Sequence, residues 1–258
     1  MKSAILAFLI LFSCTSFAEE VVMVETVTAS LESDAPLSVD NINGDITVTG
    51  WDSDTVELTY TVTCESQEDM DAVDVLVDME DGIACEVTID SELRESVSCQ
   101  VDFEISVPSD IDLQYLIENV NGNIQFSDAA GTAEVDMVNG NVEVGDFAGD
   151  MSVSVVNGDI TAEEVSGMKS IEVVNGSIML AVQELLNDLS IETVNGEVKV
   201  QLATDAVVEI ETLSGDIDVA GAFDATVSED LVGSSAEFGN GERTIVISTV
   251  NGDIKVTE

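Results

Sequence analysis

The 258-residue chain carries 53 acidic residues against six basic ones, a formal net charge of −47, and it contains no histidine. That charge excludes nucleic acid as a partner and disfavours anionic lipid or polyanionic sugar unless a cation bridges them. The missing imidazole excludes histidine-dependent triads, histidine metal sites and imidazole acid–base catalysis. Because 45% of the residues are hydrophobic, the chain builds a core instead of an acidic disordered tail, and its surface suits a salty medium that screens it.

Residues 1–18 read as an export signal: Lys2 supplies the positive start, Ala4 to Phe12 form a short apolar run, and Ser16-Phe17-Ala18 ends in the small residues a signal peptidase reads. The run is too short to span a bilayer, and no later stretch forms a transmembrane segment. Cleavage after Ala18 is the expectation. Lipidation at Cys14 is the alternative, although Phe12 and Ser13 make a poor lipobox. The mature protein is therefore expected in the periplasm, at the cell surface or outside a bacterial cell.

Residues 19–108 form an N-terminal β section. After a strand at Val21 to Val27, Pro36 opens a first Asn-Gly repeat, and Gly50-Trp51-Asp52 reads as a turn with an aromatic lid. Val56, Leu58, Tyr60, Val62 and Cys64 alternate with polar residues, the pattern of a half-buried strand. Ser66 is placed to cap one acidic helical turn, and Asp81-Gly82 marks a hairpin. Ile83, Cys85, Val87 and Ile89 share one face, as do Val97, Cys99, Val101, Phe103, Ile105 and Val107 beyond a polar loop at 91–96. Three cysteines remain after cleavage; an exported protein permits a disulfide, and the odd count leaves one thiol free or paired between chains. A hairpin about that loop favours Cys85–Cys99 as the disulfide, with Cys64 a buried free thiol. The alternative is three reduced core cysteines.

Residues 109–258 read as a repeat solenoid. The phrase recurs as VNGNI from Val120, VNGNV from Val138, VNGDI from Val156, VNGSI from Val174, VNGEV from Val194, LSGDI from Leu213 and VNGDI from Val250. Counted from the Asn position, the spacings are 18, 18, 18, 20, 19 and 37 residues. Four residues before the Asn the column reads Ile117, Val135, Val153, Ile171, Ile191, Ile210 and Ile247; three after it, Ile124, Val142, Ile160, Ile178, Val198, Ile217 and Ile254. Each repeat thus supplies two short strands with inward period-two faces, joined at a corner. The fold class is all-β, a β-solenoid resembling a parallel β-helix with coils of about 18–20 residues, the last coil serving as a C-terminal cap. At the corner Gly permits positive φ, and Asn121, Asn139, Asn157, Asn175 and Asn195 are placed to stack as an amide ladder at the ~4.8 Å strand spacing.

These motifs resemble the bacterial putative-adhesin family built on repeated NGDI-like turns. The resemblance runs from Asn43-Gly44-Asp45-Ile46 and Gly50-Trp51-Asp52, through Phe103 to Pro108, to Asn251-Gly252-Asp253-Ile254. It implies a β-solenoid at or beyond the cell envelope, and it brings no catalytic residues to carry over.

The chemistry is consistent with a non-enzymatic scaffold or adhesion module that binds a protein or a neutral glycan. Neither a GxGxxG nor a Walker pattern is present, so no cofactor is expected. Carboxylates are abundant enough for a calcium cage or a carbohydrate-active acid pair to be weighed. The position two after the Asn varies through Asn123, Asn141, Asp159, Ser177, Glu197 and Asp216, which argues against a calcium ladder with ligands at every step. The outward row of Glu172, Glu192 and Glu211 is expected on successive coils, where it reads as a solvated acidic face or a Ca²⁺-dependent binding surface. Minimal turns and a basic set reduced to Arg94, Lys169, Lys199, Arg243 and Lys255 count against a polysaccharide lyase.

Overall fold

A computed structural model describes residues 6–7, 20–90, 97–221, 226–230 and 233–258. The expected signal segment, apart from Leu6–Ala7, and the loop at 91–96 therefore lie outside the described residues. Apart from one helical turn the regular secondary structure of the described residues is all strand, and the chain divides into two units, Met1–Gly131 and Thr132–Glu258.

In the first unit the Asn43 repeat is already a solenoid coil. Pro36–Asn43 pairs in parallel with Leu113–Asn121, placing Asn43 opposite Asn121, and Ile46–Trp51 pairs in parallel with Ile124–Ser127. The unit extends past Pro108 because the coil at 113–127 stacks directly on this early one. The intervening chain supplies the neighbours on the other side. Cys99–Pro108 lies parallel to Ile46–Trp51 and antiparallel to Val56–Cys64, which in turn pairs antiparallel with Val21–Ala29. Strict alternation buries Val56, Leu58, Tyr60, Val62 and Cys64 on one face, as the period-two pattern requires. Ser66 caps the helical turn Gln67–Met70 by accepting the Asp69 N–H, and half-buried Trp51 donates its indole N–H to the Thr55 carbonyl at 2.7 Å.

The cysteine pairing differs from the sequence expectation. Ile83–Ile89 does form the Asp81-Gly82 hairpin with Val73–Asp78, but then pairs in parallel with Pro36–Asn43 in the opposite sheet from Cys99–Pro108. Cys85 therefore cannot reach Cys99. Cys64 lies directly opposite Cys99 on adjacent antiparallel strands, with Cα atoms 4.2 Å apart, and these two form the disulfide. Cys85 is the free, buried thiol, and burial pushes it up to about 12.

In the second unit the repeats stack in register along two parallel sheets. One column runs Ile171, Ile191, Ile247 and Ile210, and the other Ile178, Val198, Ile254 and Ile217. Most of these side chains are fully buried, each stabilising by roughly 1.5–3 kcal/mol relative to exposure. The strand order, however, is not the chain order. Thr244–Asn251 lies between Leu189–Asn195 and Val207–Ser214, and Ile254–Thr257 lies between Val198–Leu202 and Ile217–Ala220. The C-terminal coil is thus an inserted coil and not a cap. Beyond Val207–Ser214 the sheet continues with an antiparallel pair, Gly233–Phe238 and Thr226–Asp230, so the 37-residue gap holds a hairpin where the repeat spacing suggests a decayed coil. Reversed strands end the parallel register, which is the physical task a cap performs.

Two outcomes follow from this packing. Peptide mapping of the oxidised protein should recover Cys64 linked to Cys99, with Cys85 alkylated only after unfolding. Replacing both bridged cysteines by Ser should cost about 3–4 kcal/mol, the loop-closure entropy of a 35-residue separation.

Candidate functional site

The Asn-Gly corners carry the strongest sequence signal, and their geometry makes them structural. In the second unit the Asn157 amide donates to Asn139 Oδ1 at 3.0 Å, Asn175 to Asn157 at 2.9 Å, Asn195 to Asn175 at 2.9 Å and Asn251 to Asn195 at 3.0 Å. In the first unit Asn121 donates to Asn43 at 2.8 Å. Asn251 joins this ladder through the inserted coil, a place its position at the end of the sequence conceals. A second ladder lies two residues on. The Asp159 N–H bonds Asn141 Oδ1, the Ser177 N–H bonds Asp159 Oδ1, and the Asp216 N–H bonds Asp253 Oδ1. The side-chain oxygen there is a backbone acceptor for the next coil, so Asp and Asn serve equally.

The glycine answers to stacking as much as to dihedral. A Cβ on Gly158, at φ +149°, would sit 1.7 Å from the Gly140 carbonyl oxygen, and one on Gly196 would meet Gly176 at the same distance. Gly196 is outside the positive-φ set, so close approach alone excludes a side chain there.

The surface with functional potential is the outward face of the second unit's longer-stranded sheet. Two rows run across its strands. The first reads Ser154, Glu172, Glu192, Ser248 and Glu211 in spatial order, each three residues before its corner, and ends on Ser235 of the neighbouring antiparallel strand. Glu172 and Glu192 are neighbours as expected, but Ser248 of the inserted coil separates Glu192 from Glu211, so the acidic stack of three does not form. That spacing relieves the repulsion like charges suffer directly opposite one another. The second row, one residue before each corner, is apolar and open: Val174 and Val194 are 41% exposed, Val250 39% and Leu213 58%. The rows line a trough of about 590 Å³, bordered by Gly233, Ser234 and Ser235 of the antiparallel hairpin. The sequence displays this apolar row as the Val or Leu heading each repeat, yet adjacency to the corner hides that it faces solvent.

The floor beneath holds Thr193 and Thr249, both buried, whose hydroxyls have no hydrogen-bond partner among the described residues. In the first unit a second trough is lined by Leu76 and Leu116 beside Asp40, Glu86 and Glu118. Among the described residues, no three or more Cys, Asp or Glu side chains converge as a metal site.

At the second bend of the coil, Asp146 and Glu164 both adopt positive φ, 49° and 56°. A hydrogen bond to Asp146, and then the charge of Asp146, hold the Glu164 carboxyl above its usual range.

A match to the Toastrack DUF4097 family model spans residues 37–257. The chain belongs to the Toastrack DUF4097 family. Solved structures are similar to this Toastrack chain at low identity. A "putative adhesin" from Bacteroides fragilis is 12% identical, with 90% of this chain and 96% of that one covered and a TM-score of 0.54. A "putative cell adhesion protein" from Clostridium sporogenes is 13% identical, covering 91% and 99% at a TM-score of 0.37. A further "putative adhesin", from Parabacteroides merdae, is 10% identical, covering 91% and 96% at 0.37. No curated protein matches the chain. No helix among the described residues of this Toastrack chain is long and apolar enough to cross a membrane.

Substituting Gly158→Ala should therefore cost more than about 2 kcal/mol in denaturant unfolding, because a Cβ at that corner displaces backbone. A second outcome concerns Glu164. Its folded-state affinity for a proton is raised, so the native state gains stability as pH falls through the carboxylate range and carries the repulsion above it. Glu164→Gln should raise the melting temperature at pH 7, and the difference from the parent should shrink as the pH is lowered.

Proposed function

We propose that this chain is a non-enzymatic binding module of the bacterial cell envelope, exported after loss of residues 1–18, that holds a protein or a neutral glycan against the outward sheet face. The observation that carries this reading is the trough with its parallel apolar and Glu/Ser rows. Those rows repeat at the strand spacing of ~4.8 Å and offer an extended contact surface. The carboxylates stand side by side along one row and do not face each other across a cleft, as a paired acid and base flanking a scissile bond must. The corners that could bear catalytic loops are reduced to Asn-Gly and are occupied by ladder hydrogen bonds.

Three further points support it. The export pattern of residues 1–18 and the Cys64–Cys99 bridge suit an oxidising compartment. A dense negative surface keeps such a module soluble and selects against anionic partners. The Bacteroides fragilis relative is itself described as a "putative adhesin".

The experiment is a screen of the mature chain, residues 19–258, against arrays of envelope glycans and surface proteins, with product analysis of every hit. The expected outcome is saturable binding with the ligand recovered intact. Ligand cleavage would overturn the reading.

A further inference from the structure

We infer that the trough of the second unit is a docking groove for an extended cationic polypeptide segment whose side chains alternate between lysine or arginine and an aliphatic residue. This names a partner class for the proposed binding module and rests on that reading.

The argument starts with the two rows. Along each strand, successive outward residues are first acidic or hydroxylic and then apolar: Glu192 then Val194, Ser248 then Val250, Glu211 then Leu213. The rows are therefore parallel and about 7 Å apart, two residues of strand rise. An extended chain lying between them with its side chains splayed left and right puts every second residue on the acidic row and the others on the apolar row. Leucine and valine held 39–58% exposed in line over four coils form a contiguous apolar strip, the kind of surface that marks an interaction site.

Charge selects the occupant. No lysine or arginine lines the groove, and three of the chain's lysines are engaged elsewhere: Lys169 with Asp150 at 2.6 Å, Lys199 with Glu197 at 2.6 Å and Lys255 with Asp218 at 3.4 Å. Among the described residues, serine hydroxyls donate to two of the groove carboxylates, Ser170 to Glu172 and Ser190 to Glu192, each at 3.4 Å. Complementary cations must come from outside, and the net charge of −47 steers them inward. The lining residues include no aromatic ring on which a sugar could stack, which favours the polypeptide over a glycan. The hairpin strand at Gly233–Phe238 walls one end beside Leu213.

The test measures fluorescence anisotropy of a labelled (Lys-Val)₄ peptide titrated with the mature chain at about 150 mM salt, where distant surface charge is largely screened. Three variants are compared: Glu192→Gln with Glu211→Gln, Val194→Ser with Val250→Ser, and a charge-matched control, Glu143→Gln with Glu163→Gln, on the outward face of the other sheet. Thermal melts confirm folding of each. Either groove variant should weaken binding about tenfold or more, the control less than about twofold, and a (Lys-Ser)₄ peptide should bind at least about tenfold more weakly.

Equal losses from both acidic pairs would reduce the effect to bulk charge and overturn the inference. Equal binding of (Lys-Ser)₄ would do the same. If the peptide fails while the array screen finds a glycan or protein whose binding survives the groove substitutions, the groove assignment falls and the binding-module reading stands. If neither experiment finds a ligand, both fall.

Discussion

The whole second unit depends on how closely one coil approaches the next at the Asn-Gly corner. Backbone carbonyls there come near enough that a methyl group on Gly158 or Gly196 would overlap the preceding glycine's oxygen. That approach permits the amide ladder from Asn139 through Asn157, Asn175 and Asn195 to Asn251, and the acceptor ladder beneath it. With the corners locked, the strands on either side are held in register, and Ile and Val stack on Ile and Val through the core. The corner asparagine amides are thereby engaged by the neighbouring coil.

A rigid corner lets the outward face act as a ruled surface. Register forces every residue three before a corner into one row and every residue one before it into another. The inserted C-terminal coil then edits the rows, placing Ser248 between Glu192 and Glu211 and Val250 between Val194 and Leu213. It breaks the acidic row into a pair and a single carboxylate while leaving the apolar row unbroken. Charge density falls where it would cost most, and apolar continuity is kept.

The first unit uses a different lock. There the Asn43 coil stacks on the Asn121 coil through the same amide bond, but its other neighbours, Cys99–Pro108 and Ile83–Ile89, are parallel strands that each pair antiparallel with a further strand. Buried Asn41 and Asn119 tie the corner down, Asn41 donating to the Val101 carbonyl at 2.9 Å and Asn119 to the Gly44 carbonyl at 2.8 Å. The Cys64–Cys99 bridge fastens the strand pair that carries this section, and Cys85, an inward residue of the opposite sheet, is left as core.

The sequence alone determined what is local and periodic. Inward columns of Ile and Val, glycine at every corner and asparagine beside it specify coils of about 18–20 residues stacked in register, because each depends only on the pleat and on the next coil. The Asp81-Gly82 hairpin and the Ser66 cap were legible for the same reason. Tertiary structure decided which elements become neighbours when the repeats leave more than one fit. The coil at Asn251 matches the coil at Asn195 as well as the coil at Ser214 does, since all three present the same columns, and only the folded chain inserts it between them. Likewise Cys85 and Cys64 both occupy inward phases, and sheet membership alone chose Cys64 to face Cys99. The candidate groove stayed hidden because it is assembled from that insertion: its rows take residues from strands whose spatial order the chain order does not give.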